Sequence, residues 1–178
     1  MKSTPKLQQI VTQIAAKHGV DLDRAGAHLR LELAGHGQLV IENIGASRVS
    51  VTNYIEVNRD WIADPQVVLY TASIVAAEVS APPASVWLPM EITELFGGWR
   101  LYAELDTQGE LALYDPGGQA ELARFCETVL ARNLRDHGWL ARAERVPAPF
   151  RSWSDEEIHA SDIRLDDVLG VSEEESDA

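Results

Sequence analysis

The residue types best able to do chemistry gather in one stretch. Residues 53–65 read N-Y-I-E-V-N-R-D-W-I-A-D-P, which brings Tyr54, Glu56, Asn58, Asp60, Trp61 and Asp64 close together in sequence. Asn58-Arg59-Asp60 has the composition of a tight turn, and Asp64-Pro65 closes the segment. Acid, amide and aromatic side chains on a turn suit a recognition surface. The alternative is a hairpin whose polar side chains cap its own backbone. Asp21, Asp23, Asp60, Asp64 and Asp106 offer carboxylates for acid–base work, but nothing in their spacing pairs any two of them.

The other reactive types point away from catalysis. Histidines stand at positions 18, 28, 36, 137 and 159, none at the i, i+4 spacing of a helical metal site. His18 and His137 fall in the last turns of expected helices, where a cation complements the backbone dipole. His28 and Glu32 share the polar face of an expected strand, without a third group to complete a site. The single cysteine, Cys126, lies on an apolar helical stripe and reads as a small buried hydrophobe. Gly97-Gly98 and Gly117-Gly118 lack the spacing of a phosphate-binding loop. No cofactor or metal is expected.

The elements that position these residues follow from periodicity. Thr4 as cap, Pro5 at the first position and Gly19 as terminator bound a helix, with Leu7, Ile10, Val11, Ile14 and Ala15 on one face. Alternation then predicts strands over residues 28–33, 39–44, 48–57, 66–71, 86–95 (after the breaker Pro82-Pro83), 99–105 and 110–114. The connections are too short for crossover helices, so the sheet is expected to be antiparallel. A second helix starts at Asp115-Pro116 and stops at Gly138, with Leu122, Phe125, Cys126, Val129, Leu130 and Leu134 inward. Beyond Trp139-Leu140 the period is lost. The expected fold is α+β: an antiparallel meander of about six or seven strands flanked by an N-terminal and a C-terminal helix. One domain, residues 1–146, precedes an acidic, largely extended or disordered tail, residues 147–178.

That tail concentrates the charge. Residues 151–178 hold ten carboxylates against two arginines, so −8 of the net −13 lies there. Apolar residues punctuate the acids, so residues 161–170 are suited to forming a short amphipathic helix against a partner. Asp155, Glu156, Glu157, Asp162, Asp166, Asp167 and Leu169 are its candidate contacts. A pI near 4.7 argues against direct nucleic-acid binding, which relies on lysine and arginine, and favours a basic protein partner. No run approaches the roughly 20 apolar residues of a membrane helix, and no signal-peptide pattern opens the chain. With one cysteine, a reducing cytoplasmic setting is expected.

Tyr54, Glu56, Asn58, Asp60, Asp64 and Pro65 carry a resemblance. So do the Pro-x-x-Ile strand at residues 89–92, Gly98 with Tyr102, Arg132-Asn133-Leu134 and Gly138-Trp139-Leu140. Across residues 5–140 or so, the chain resembles an uncharacterised domain-of-unknown-function family of proteobacterial plasmids, integrative elements and phages. It departs from that pattern at Arg59, where the family has a turn glycine, at Ile55, where it has an aromatic, and in the acidic tail. The resemblance implies a mobile-element setting, sometimes near antirestriction genes, and similarity to anti-defence inhibitors, including anti-CRISPR proteins, whose targets present basic channels. The expected function is a non-enzymatic inhibitor binding a basic, nucleic-acid-handling protein such as a host defence nuclease or CRISPR effector subunit. The alternatives are a small-ligand or enzymatic pocket near Asn58, Asp60, Trp61 and Asp64, or a plasmid-maintenance interaction module.

Overall fold

Helix α1 (Pro5–Lys17) buries the five residues of its expected stripe, Leu7, Ile10, Val11, Ile14 and Ala15. Its start is built differently from the sequence expectation. Thr4 holds the N-cap position, yet its hydroxyl makes no capping bond; the residue is fully buried, and its amide and hydroxyl both donate to the Trp87 carbonyl, at 3.0 and 3.2 Å. The first-turn amides of Lys6 and Leu7 donate instead to one carboxylate oxygen of Glu127, at 2.7 and 3.2 Å. A full negative charge at the positive end of the helix dipole supplies the cap from a distant element. Gly19, at φ +69°, ends the helix as expected.

The chain, a computed structural model describing residues 1–74 and 84–147, continues into the meander. Strands β1 (His28–Leu33), β2 (Gly37–Gly45), β3 (Arg48–Val57), β4 (Asp60–Ile74), β5 (Ala84–Glu94) and β6 (Gly98–Leu101) pair in sequence order, all antiparallel. Gly37 allows the closest approach in the sheet: at φ +79°, a Cβ there would lie 2.2 Å from the Tyr54 carbonyl oxygen. Two expectations need correction. β4 starts at Asp60, not residue 66, because pairing with β3 continues past a bulge to the hairpin tip. The expected strand over residues 99–105 is two strands, with β7 (Ala103–Leu105) leaving the main sheet to pair with β8 (Leu111–Leu113) in a separate two-stranded sheet.

Helix α2 (Pro116–Phe125) starts as expected, with Asp115 Oδ1 accepting from the Gly118 amide at 2.9 Å. It does not run unbroken to Gly138. A π-helical turn over Cys126–Leu130 separates it from α3 (Ala131–Asp136), and that turn carries Glu127, the cap of α1. The chain also keeps regular structure beyond Leu140, where a loss of period was expected. Helix α4 (Trp139–Arg142) buries Trp139, and β9 (Glu144–Arg145) adds to the free side of β1, giving a seven-stranded sheet ordered β6-β5-β4-β3-β2-β1-β9. Both pieces are too short to show a period.

Alternation divides the sheet into two faces. Leu29, Leu31, Leu39, Ile41, Val49, Val51, Val67, Leu69, Trp87 and Ile92 form one core cluster with the inward residues of α1, α2 and the π turn. Burial of each large aliphatic side chain contributes about 1.5–3 kcal/mol, so this contact dominates the fold's stability. Met1–Val146 form one compact unit. The expectations for Pro82-Pro83 and for the tail, with Asp155, Glu156, Glu157, Asp162, Asp166, Asp167 and Leu169, lie outside the described residues.

Candidate functional site: a hairpin tip and the second face of the sheet

The segment singled out by its chemistry is the tip of the β3–β4 hairpin. Val57 pairs with Asp60, leaving Asn58 (φ 55°) and Arg59 (φ 74°) as a two-residue turn with both residues left-handed. Asn58 adopts that conformation easily, while Arg59 stands where glycine is favoured, at a cost of about 1 kcal/mol. Tyr54 lies opposite Ala63 and Glu56 opposite Trp61, so Tyr54, Glu56 and Trp61 share one face of the hairpin arm. Asn58, Asp60 and Trp61 are exposed.

Asp64 is held apart from that group. Its Oδ1 accepts from the Leu95 amide at 3.2 Å, and its carbonyl accepts from Asn53 Nδ2 at 3.1 Å. Asp64 and Pro65, joined by a cis peptide bond, stand opposite the register shift between Thr52 and Tyr54. These side chains satisfy the backbone where strand pairing is interrupted. The structure thus brings Tyr54, Glu56 and Trp61 together on the arm, sets Asn58 and Asp60 at its tip, and engages Asp64 in the scaffold.

The arm continues the face of the sheet that lies outside the core cluster. Two rows cross six strands there: His28, Glu42, Ser50, Val68, Glu91 and Leu101, then Arg30, Val40, Thr52, Gln66, Thr93 and Trp99. Arg30 Nε donates to Gln38 Oε1 at 2.9 Å, Ser50 and Thr52 hydroxyls lie 3.2 Å apart, and Gln66 Nε2 donates to Ser50 Oγ at 3.2 Å. His28 and Glu32 share this face, but their cross-strand partners are Glu42 and Gln38.

Two histidines at helix ends have surroundings that sequence position alone does not show. His18 is the C-cap of α1, as expected, but burial first, then the charges of Lys17 and Arg145, lower its pKa and so oppose the cationic form expected there. His36, in the β1–β2 turn, stacks on His137, after α3, with ring centroids 4.2 Å apart. No sequence spacing signals that contact, because it joins residues from two elements. Among the described residues, no three His, Cys, Asp or Glu side chains converge as a metal site requires. Burial pushes the Cys126 thiol up to about 12, the behaviour of an inert core residue.

Two features escaped the sequence reading. A cleft of about 400 Å³ is lined in part by Asp23, Asn43, Ser47, Thr71 and Ser85, beside the left-handed pair Ala46 (φ 48°) and Ser47 (φ 53°). At the other end of the sheet, Phe96 and Trp99 are strongly exposed around β6. Only the strand pairing shows that these aromatics sit at the sheet's edge.

The family model for a domain of unknown function (DUF6908) matches residues 9–140, and the chain belongs to that family. No curated protein and no solved structure matches it. Among the described residues, no helix is long and apolar enough to cross a membrane.

Proposed function

We propose that this DUF6908 member is a non-enzymatic accessory protein of a mobile genetic element, acting in the cytoplasm as an anti-defence inhibitor. Its target is a basic protein that handles nucleic acid, such as a defence nuclease or CRISPR effector subunit. The observation that carries the reading is the charge: −13 overall, with ten carboxylates in residues 151–178 alone. A surface of that sign competes with a nucleic-acid backbone for lysines and arginines, and long-range attraction accelerates the encounter. The geometry of residues 53–65 supports a contact surface over a pocket: Asn58, Asp60 and Trp61 are exposed at the hairpin end, and Asp64 is engaged by the Leu95 amide.

DNA cleavage by a panel of RNA-guided effectors and restriction endonucleases, measured with increasing full-length chain, tests the proposal. The expected result is stoichiometric inhibition of at least one nuclease, weakened by deleting residues 151–178 together with Glu56→Gln and Asp60→Asn. Unchanged cleavage by every nuclease, or inhibition indifferent to those changes, overturns it.

A further inference from the structure

The domain's excess charge and its most exposed aromatics coincide. Residues 91–115 contain six carboxylates and one arginine, while the rest of residues 1–150 contains twelve of each sign, so the whole −5 of residues 1–150 arises in this stretch. The same stretch exposes Phe96 by 96%, Trp99 by 61% and Tyr114 by 56%. Phe96 lies in the β5–β6 turn and Trp99 on β6, the terminal strand of the sheet among the described residues. The opposite edge, β9, is a two-residue strand of Glu144 and Arg145, short and charged in the way that discourages further pairing. β6 reads Gly-Trp-Arg-Leu and carries neither proline nor lysine.

Local pairing does not remove the acid excess. Arg100, the stretch's one cation, pairs with Glu94, and the Trp99 indole donates to Glu91 Oε2 at 3.1 Å. An aromatic left in water forgoes about 1.5–3 kcal/mol of burial, which a partner would recover. Aromatic faces beside carboxylates also attract lysine and arginine through both ring and charge.

We infer that the β6 edge is a docking site for an extended, lysine- and arginine-rich segment of a partner protein. The segment adds as a strand to β6, with its cations over Phe96 and Trp99 and beside Glu91 and Glu94. A second copy of the chain fits poorly, since each would bring a net charge of −13. This inference rests on reading the chain as a protein-binding module and gives that module its contact surface.

The test uses the full chain and a defined probe, a peptide of about a dozen residues alternating Lys or Arg with Val or Thr, long enough to pair along β6. NMR titration is expected to shift the amides of residues 98–101 and the Trp99 indole, and a Phe96→Ser/Trp99→Ser variant to weaken binding at least about tenfold. Because both side chains are exposed, the variant's circular dichroism and urea midpoint are expected to match the parent's. Shifts confined to residues 54–61 or 151–178 overturn the inference. So does an equal response to a Glu-for-Lys/Arg peptide, or β6 shifts that grow with protein concentration alone. Nuclease inhibition that survives Phe96→Ser/Trp99→Ser overturns this surface but not the proposed function; peptide binding at β6 without inhibition of any nuclease overturns the function but not the surface.

Discussion

Cys126 shows how one residue's surroundings set its chemistry. Desolvation, with the Glu127 charge adding to it, raises its pKa from 9.0 to about 12. The unfolded thiol ionises first, so the native state retains the proton that the unfolded state loses. Stability is therefore intact below about pH 9 and falls as pH rises toward 12. Between about pH 8.5 and 10.5 urea unfolding is expected to lose about 2 kcal/mol through this group, and a Cys126→Ala variant, less stable at both values, to lose that much less. An equal loss in both proteins contradicts the assignment. The position was legible in sequence because a helical stripe of six apolar residues left Cys126 no other side. His18 was legible in place, at the end of α1, but not in its surroundings, because the burial that chiefly lowers its pKa, and the Arg145 charge that adds to it, come from the folded domain.

At the scale of elements, α1 depends on the π turn. Glu127 accepts from the Lys6 and Leu7 amides, and Gln119, fully buried on α2, accepts from the Lys2 amide at 2.8 Å and donates to the Lys2 carbonyl at 2.8 Å. The amino terminus is thus fastened to the C-terminal helices through backbone groups. Glu127→Ala is expected to cost about 1–2 kcal/mol in chemical denaturation, whereas Thr4→Ser, which keeps the bond to the Trp87 carbonyl, is expected to cost less. A Glu127→Ala variant as stable as the parent would contradict this account of the cap. Strands β1 to β3 and β5 were legible because alternation and short turns act locally. The departure of β7 was not, because residues 99–105 alternate continuously and only pairing with β8 separates the two strands. β9 was missed for a related reason: two residues carry no period, and their place is fixed by Leu31 and Glu32 across the ladder.

At the scale of the molecule, charge distribution is the property that sequence exposed most directly and folding reorganised most usefully. Reading along the chain drew attention to the tail and to residues 53–65. In three dimensions Asp64 supports a bulge while Tyr54, Glu56 and Trp61 extend the second face of the sheet. The acidic, aromatic β6 edge becomes a surface only after the strand order is known, because its residues look in sequence like an ordinary hairpin. We propose that the chain engages a basic nuclease surface that nucleic acid would otherwise occupy. Calorimetry of full-length chain against a nuclease it inhibits, with and without target DNA, at about 50 and 300 mM salt, measures this directly. One-to-one binding that excludes DNA, with Kd weakening by about tenfold or more at the higher salt, is the expected result. Salt-independent affinity, or a stable complex holding both protein and DNA, would contradict it.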